Sequence, residues 1–196
     1  MAGNNTNIEL ITIGGSAGSL PVVLKIIKSL PASFKVPIVI VIHRQRNVSS
    51  ELVKILNNSS ASKKIIEPDD KETIGDSCIY LAPQNYHLLI EKDRTFSLDY
   101  SEAVLFSRPS IDVTFESAAR VYKKKLAAVL LTGANSDGTT GLSTVVHRGG
   151  IAVAQDPSTA EYPAMPLSAV RNVKELTVLS PEGIVKFLAA LMSNGK

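Results

Sequence analysis

Short apolar runs rich in β-branched residues alternate along the chain with segments of helical periodicity. The runs occupy residues 8–13, 36–42, 126–131, 151–154 and 176–179. Most residues in these runs are apolar, so both faces of each strand would be apolar. We therefore expect strands that are covered on both faces, as in a parallel sheet flanked by helices. The pattern predicts an α/β fold built on a doubly wound, mostly parallel sheet.

Helix signals lie between these runs. Ser19, two residues before a proline, is typical of a helix start, and we predict a helix over residues 20–30 with Ser19 as its cap. Apolar residues at helical spacing predict another helix over Ile111–Tyr122, where Asp112 suits the positive end of the helix dipole. A final helix is predicted to begin near Pro181.

The region 64–99 interrupts this alternation. Short apolar stretches at 78–81, 87–91 and 96–99 are separated by turn signals that contain proline, asparagine and aspartate. We interpret them as a strand followed by an antiparallel β-hairpin that is inserted between the parallel units. Since no repeat or long linker is evident, residues 1–196 are expected to form a single domain.

Composition narrows the class of protein. Hydrophobic residues make up 44% of the chain and charged residues 20%, with a net charge of +3, which is ordinary for a folded globular domain. The basic residues are scattered apart from Lys123-Lys124-Lys125, which is predicted to be a solvated turn, so we expect no nucleic-acid partner. No apolar run approaches the roughly 20 residues that span a bilayer, and no secretory leader is evident. A cytoplasmic protein that is not embedded in a membrane is therefore expected.

The sequence contains no recognisable pattern of metal-binding residues. The chain has no pair of cysteines, no close histidine cluster and no H-E-x-x-H motif, so we expect neither a metal nor a cofactor. The single cysteine, Cys78, lies in an apolar stretch and is interpreted as a buried, reduced thiol.

A G-x-S-x-G motif follows the first predicted strand. In Gly14-Gly15-Ser16-Ala17-Gly18 the small residues allow a sharp turn into the next helix, which would present Ser16 Oγ above the edge of the sheet. The N–H of Ala17 and the positive end of the helix would then face a developing oxyanion. The motif matches neither the dinucleotide fingerprint nor the P-loop, although a tight turn without catalytic function explains it equally well when it is taken alone.

Two further strand ends carry residues that would complete a catalytic triad. His43 closes the second predicted strand and Asp137 lies in the loop after the third, at the carboxyl edge where ligands bind to parallel sheets. Either residue alone often has no catalytic function, but with Ser16 they supply a nucleophile, a base and an orienting carboxylate. We expect His43 Nε2 within about 3.2 Å of Ser16 Oγ and the other ring nitrogen facing Asp137. The order Ser, His, Asp differs from the α/β-hydrolase order, and His87 and His147 are given no catalytic role.

As a set, these and other short motifs resemble the catalytic domain of the chemotaxis receptor methylesterases of the CheB type. The matching stretches run in the family's order across nearly the whole chain. They are Ile13-Gly14-Gly15-Ser16-Ala17-Gly18, Val41-Ile42-His43, Tyr80-Leu81-Ala82-Pro83 with His87, Arg108-Pro109-Ser110-Ile111-Asp112, Leu131-Thr132-Gly133 with Asp137-Gly138, Gly149-Gly150 with Gln155-Asp156, and Met165-Pro166.

The resemblance implies a Ser16–His43–Asp137 triad on a doubly wound sheet with an antiparallel hairpin. It implies hydrolysis of glutamate methyl esters on the cytoplasmic helices of chemoreceptors, with release of methanol, and deamidation of selected glutamines by the same acyl-enzyme chemistry. It also implies a second oxyanion donor in the loop 132–135, where the backbone N–H of Ala134 is the best candidate. Many members of the family carry a receiver domain before this domain, and none is expected here.

Two alternatives stay open at the level of sequence. One is a related serine hydrolase that acts on another ester or amide, which is favoured by Ala134-Asn135 in place of the Met-Gly usual in the family. The other is a non-catalytic module that keeps the fold and docks on a signalling protein. The joint presence of Ser16, His43 and Asp137 weighs against the second alternative.

Overall fold

A seven-stranded parallel sheet forms the centre of the computed structural model, which describes residues 7–31, 33–44, 51–60 and 64–193. The strands are β1 (Leu10–Gly15), β2 (Ile38–Ile42), β3 (Ile65–Ile66), β4 (Ile79–Leu81), β5 (His87–Ile90), β6 (Phe96–Asp99), β7 (Leu126–Leu130), β8 (Ile151–Gln155) and β9 (Thr177–Leu179). Within these ranges the sheet has the order β3-β4-β2-β1-β7-β8-β9, and each neighbouring pair is parallel. β5 and β6 form a separate antiparallel pair.

Helices cover both faces of the sheet. They are α1 (Leu20–Ser29), α2 (Leu52–Ser59), α3 (Ile111–Tyr122), α4 (Thr139–His147), α5 (Ala164–Asn172) and α6 (Pro181–Ser193), with short 3-10 turns at Lys123–Lys125 and Pro157–Thr159. None of the helices in the described ranges is long and apolar enough to cross a membrane.

Alternate residues of the strands supply two separate cores. In β1, Ile11 and Ile13 are buried in the core formed with α1, α2 and α6, whereas Leu10 is buried in the core formed with α3, α4, α5 and the hairpin. Val39 and Val41 of β2 likewise face the second core. The sheet is therefore covered on both sides, and the predicted doubly wound α/β fold is confirmed.

The middle region differs from the prediction in part. The stretch 78–81 contributes β4, which pairs in parallel with β2 and β3 and so belongs to the main sheet. The predicted hairpin consists of β5 and β6. Sequence analysis also missed α2 and β3, because α2 buries Leu52 and Leu56 alone and β3 has two residues, too few for a periodic pattern.

Ser19 lies at the predicted helix start but does not cap α1 with its side chain. Its Oγ donates to Ser16 O at 2.7 Å. The hydroxyl therefore closes the turn that carries Ser16 instead of satisfying a helix N–H, which corrects the predicted cap. α1 ends at Ser29, one residue before the predicted end.

Gly141 lets α4 pack directly on α3. A Cβ atom at this position would lie 2.6 Å from Phe115 Cβ and 3.2 Å from Asp112 Cα. The Gly141 N–H also donates to Asp112 Oδ1 at 2.7 Å. Because the obstructing atoms lie on or next to the backbone of α3, rotating a side chain cannot relieve the contact. α4 begins directly after the Asp137 loop, so this contact also helps to position that loop.

We expect Gly141→Ala to lower the free energy of unfolding by about 1–2 kcal/mol, because an overpacking cost of about 2–3 kcal/mol exceeds the gain in helix propensity of about 1 kcal/mol. Gly183→Ala in α6 is a matched control. An added Cβ there would lie 3.2 Å from Leu179 Cβ, its nearest contact. That variant should stay within about 0.5 kcal/mol of the wild type. Urea unfolding gives the free energy of unfolding of the wild type and of both variants. Equal free energies for the two variants would contradict the close packing of α3 and α4.

Candidate active site

The register of the central strands places Ser16 and His43 side by side. Gly15 of β1 pairs with Ile42 of β2, and the His43 N–H donates to Gly15 O at 3.2 Å. Ser16 and His43 therefore directly follow two neighbouring parallel strands, at the carboxyl edge of the sheet. The adjacency expected for these two strand ends is confirmed.

The turn that carries Ser16 is fixed by its backbone. The Ser16 N–H donates to Thr132 O at 3.0 Å, which ties the turn to the chain just after β7. Gly18 has a φ of +75°, and a Cβ atom there would lie 2.8 Å from Glu161 Cβ, so this position requires glycine. Within the described residues Ser16 Oγ makes no hydrogen bond. The hydroxyl is held at the strand end and has no competing partner there.

Thr132 joins three segments at this edge. Its N–H donates to Gln155 Oε1 at 3.1 Å, at the end of β8. Its Oγ1 accepts from the Tyr162 N–H at 2.8 Å and lies 3.2 Å from Ala17 O and 3.1 Å from Tyr162 O, to either of which its single proton donates. Thr132 therefore holds the serine turn, the end of β8 and the segment before α5 together.

Ala17 and Ala134, the two expected oxyanion donors, have backbone N–H groups that make no hydrogen bond to any described residue. The intervening Gly133 N–H, by contrast, donates to Tyr162 O at 3.0 Å. A Cβ atom at Gly133 would lie 3.0 Å from Ser16 Cβ, so the backbone before Ala134 passes close to the serine. Both alanine N–H groups are thus available to a developing negative charge.

Asp137 is fully buried and its carboxylate accepts hydrogen bonds at both oxygens. Among the described residues the donors are the Ser110 hydroxyl at 3.0 Å, the Ile111 N–H at 2.8 Å, the Asp112 N–H at 2.9 Å, the Gly138 N–H at 3.0 Å and His43 Nε2 at 2.8 Å. Three of these residues begin α3, whose N-terminus also favours a negative charge.

These donors keep Asp137 ionised. Burial by itself raises the pKa of the Asp137 carboxyl, but the hydrogen bonds from His43 and from the Asp112 and Ile111 N–H groups outweigh burial and hold the pKa below that of an ordinary aspartate. The carboxylate is therefore charged at neutral pH and stabilises positive charge on His43.

The imidazole of His43 has a partner on each nitrogen. Nε2 lies 2.8 Å from Asp137 Oδ2, and Nδ1 lies 3.2 Å from Ser107 Oγ. Because an ionised carboxylate only accepts, Nε2 carries the proton and Nδ1 accepts from the Ser107 hydroxyl. The expected contact between His43 and Asp137 is confirmed. The expected contact between His43 Nε2 and Ser16 Oγ is wrong, because Nε2 faces Asp137 and Nδ1 faces Ser107, and neither ring nitrogen hydrogen-bonds Ser16 in the described residues. Nδ1 is the ring nitrogen that does not face Asp137.

Sequence analysis assigned no positioning role to three residues around this histidine: Ser107, Ser110 and His87. Buried His87 accepts from the Ser110 N–H through Nδ1 at 3.1 Å and lies 2.9 Å from Glu102 O through Nε2. Since a backbone N–H only donates and a carbonyl only accepts, His87 is neutral with its proton on Nε2. It positions Ser110, which in turn contacts Asp137. A serine directly before a predicted helix is a capping signal that could have identified Ser110.

A family model described as CheB methylesterase matches residues 11–188. The chain belongs to the CheB methylesterase family.

Two relatives and one solved structure illustrate the extent of the match. A Leptospira interrogans protein, named provisionally as a protein-glutamate methylesterase/protein-glutamine glutaminase, is 48% identical over 188 residues, which cover 96% of this chain and 97% of the relative. The Thermotoga maritima protein-glutamate methylesterase/protein-glutamine glutaminase is 34% identical over 84% of this chain and 48% of the relative. The crystal structure of the Thermotoga maritima CheB methylesterase catalytic domain matches with a TM-score of 0.86 at 32% identity, covering 94% of this chain and 98% of that domain. The predicted family, fold and enzyme class, that of carboxylic ester hydrolases, are confirmed.

In this member of the CheB methylesterase family, Asp112 is a second carboxyl group beside Asp137. It is buried, and burial raises the pKa of Asp112 to about 7, with a smaller contribution from the charge of Asp137 and an opposing one from the Gly141 N–H. Near neutral pH the Asp112 side chain is therefore partly protonated, and the predicted interaction of its charge with the helix dipole is weakened. No group of three or more His, Cys, Asp or Glu side chains suited to a metal ion occurs in the described part of the chain.

We expect Asp112→Asn to remove a pH-dependent loss of stability. An ordinary aspartate ionises near pH 3.8, so between that pH and about 7 the folded Asp112 keeps a proton that the unfolded chain releases. Wild-type stability should fall relative to the variant as the pH rises from 5 to 8, on the order of 2 kcal/mol, because the buried group must ionise. The asparagine accepts from Gly141 through its oxygen and donates toward Asp137 through its amide, as the protonated acid does. Urea unfolding at both pH values tests this, and parallel changes in the two proteins would contradict it.

Proposed function

We propose that this chain hydrolyses glutamate methyl esters on proteins through a Ser16–His43–Asp137 triad. The observation that supports this best is the 2.8 Å contact between His43 Nε2 and buried Asp137, at a strand end beside the Ser16 turn. A histidine oriented by a carboxylate and adjacent to a serine is the arrangement that activates a hydroxyl nucleophile. Membership of a family of methylesterases supports the same reaction.

The acylation step uses the nitrogen of His43 that faces away from Asp137. Ser16 Oγ attacks the ester carbonyl while its proton passes to His43 Nδ1, and Asp137 stabilises the imidazolium through Nε2–H. The Ala17 and Ala134 N–H groups donate to the oxyanion of the tetrahedral intermediate. The bond between the carbonyl carbon and the methoxy oxygen then breaks, the Nδ1 proton passes to that oxygen, and methanol leaves a glutamyl ester on Ser16.

Deacylation repeats the sequence with water. Water gives a proton to Nδ1 and attacks the glutamyl ester, the bond to Ser16 Oγ breaks and the proton returns to that oxygen, and the substrate protein leaves with a glutamate side-chain carboxylate. A glutamine side chain would follow the same path with ammonia in place of methanol. The relatives from Leptospira interrogans and Thermotoga maritima are named for both activities, which supports assigning both to this chain.

The substrate that fits this reaction is the methylated cytoplasmic helices of chemoreceptors, and the site of action is the cytoplasm. The family name and the names of the relatives support a protein-bound glutamate ester as the substrate. This chain spans about half of the Thermotoga maritima relative and nearly all of the Leptospira interrogans one.

Ser16→Ala should reduce methanol release from methylated receptor membranes by at least about 1,000-fold, because the acyl-enzyme cannot form. Ser29→Ala, at the far end of α1, is the control and should retain wild-type activity. Methanol release is measured from receptors carrying a labelled methyl group. Unchanged release by Ser16→Ala would refute the triad, and no release by the wild type would favour a non-catalytic module.

Ser107→Ala should raise kcat/KM about 2-fold to 10-fold. In the resting structure Ser107 donates to His43 Nδ1, and that hydrogen bond, of roughly 0.5–1.5 kcal/mol, must break before Nδ1 accepts from Ser16. Asp137 continues to orient the ring in the variant. Steady-state kinetics measure the effect, and a tenfold fall would mean that Ser107 is needed to hold the imidazole in place.

A further inference from the structure

The loop 100–108 forms part of the rim of the proposed active site. Its last turn brings Ser107 Oγ to within 3.2 Å of His43 Nδ1. Arg108 Nη1 donates back to Tyr100 O at 2.9 Å and also to Ser101 O, and the Arg108 guanidinium lies 3.9 Å from the Tyr100 ring centroid. Buried His87 holds Glu102 O from beneath the loop. The loop is thus anchored at several points along its length.

A tight turn at the tip of this loop has an unusual sequence. The Ser107 N–H donates to Val104 O at 2.8 Å, and the Val104 N–H donates to Ser107 O at 3.2 Å. The two residues between them, Leu105 and Phe106, have φ values of +46° and +64°. Positive φ at both central positions is the type I′ geometry, which asparagine and glycine adopt readily and bulky residues do not. Leucine and phenylalanine therefore adopt this geometry at a conformational cost.

The same two side chains gain little from burial in the fold. Phe106 is 98% exposed and Leu105 is 43% exposed. Of the nine large hydrophobic residues exposed among the described residues, four lie in the loop 100–108: Tyr100, Val104, Leu105 and Phe106. A concentration of apolar groups on one exposed and anchored loop is typical of an interaction surface.

From this combination we infer that the Leu105-Phe106 turn is the docking contact for the polypeptide that carries the glutamate ester. The inference rests on the proposed function. Only two methylene groups separate a glutamyl ester carbonyl from its own backbone, so a protein segment whose ester reaches Ser16 must lie across the rim of the site. The turn that ends at Ser107, in contact with His43, is on that rim. The fitting partner is a helical segment with an apolar side chain about one turn from its modified glutamate.

The double variant Leu105→Asn, Phe106→Gly distinguishes the effect of the two apolar side chains from the effect of the backbone turn. Asparagine and glycine suit the type I′ geometry, so the Val104–Ser107 hydrogen bonds and the thermal stability should be retained. On methylated receptor membranes we expect kcat/KM to fall about 10-fold to 100-fold, mainly through KM, because an apolar docking contact is lost. On a small blocked glutamate γ-methyl ester, which has no segment to reach the turn, activity should stay within about twofold.

Two further variants complete the test. Phe106→Ser should show the same selective loss, and since Phe106 is 98% exposed this change does not disturb the packing. Val178→Thr is the control. Val178 is 41% exposed and lies on β9, at the edge of the sheet and four strands from β2. The activity of this variant on both substrates should match that of the wild type.

The outcomes distinguish the inference from the proposed function. If the wild type releases methanol from both substrates and the double variant is as active on receptor membranes as the wild type, the docking contact is overturned and the proposed function is not. A wild type that is inactive on both substrates would overturn the proposed function. Equal losses on both substrates would mean that the turn supports the catalytic residues and does not dock the substrate. Cosedimentation of the wild type, but not of the double variant, with phosphatidylcholine–phosphatidylglycerol vesicles would assign the turn to a membrane and also overturn the inference.

Discussion

The buried carboxylate of Asp137 determines the arrangement of the other parts of the site. An isolated ionised carboxylate in a protein interior costs several kcal/mol, and here five hydrogen bonds and a helix N-terminus offset that cost. The relation is reciprocal, because the first N–H groups of any helix lack intrahelical partners and those of Ile111 and Asp112 find one in Asp137. The start of α3, the loop after β7 and the ring of His43 are therefore held by one group, so the geometry that orients the proposed base also joins these parts of the fold.

Ionising a second carboxyl group so close to Asp137 costs free energy. Asp112 shares the start of α3 with Asp137, and its environment raises its pKa to about 7 while the pKa of Asp137 is lowered. The difference follows from the donors, since Asp137 receives most of them and Asp112 receives the Gly141 N–H. Separation of two neighbouring carboxyl groups into one ionised and one partly protonated form is how a site keeps a charged residue beside the reacting groups at neutral pH. The close approach of α4 at Gly141 is part of the same arrangement.

The sequence was sufficient to predict those features whose physical cause is local or repeats along the chain. Strands that are buried on both faces have an apolar composition, and the carboxyl ends of neighbouring parallel strands lie at one edge of the sheet, so the positions of Ser16, His43 and Asp137 in the chain are enough to predict that they lie at the same edge. The remaining features depend on contacts between distant segments. His87 and Ser110 are 23 residues apart and Ser107 and His43 are 64 apart, and no periodic pattern relates them. The choice of ring nitrogen depends on the rotation of one side chain, which the order of residues does not encode.

That rotation gives the two nitrogens of His43 partners of different kinds. Nε2 contacts Asp137, which is fully buried and held by the start of α3. Nδ1 contacts Ser107, which belongs to a rim loop whose next residue toward the tip, Phe106, is almost fully exposed. Ser107 also closes the tight turn through its own N–H and carbonyl, so that turn positions its hydroxyl. The core therefore fixes the ring, whereas the rim sets whether Nδ1 is occupied. A partner that displaces the turn would change the availability of the base without disturbing Asp137, because no hydrogen bond to the carboxylate comes from the residues of the turn.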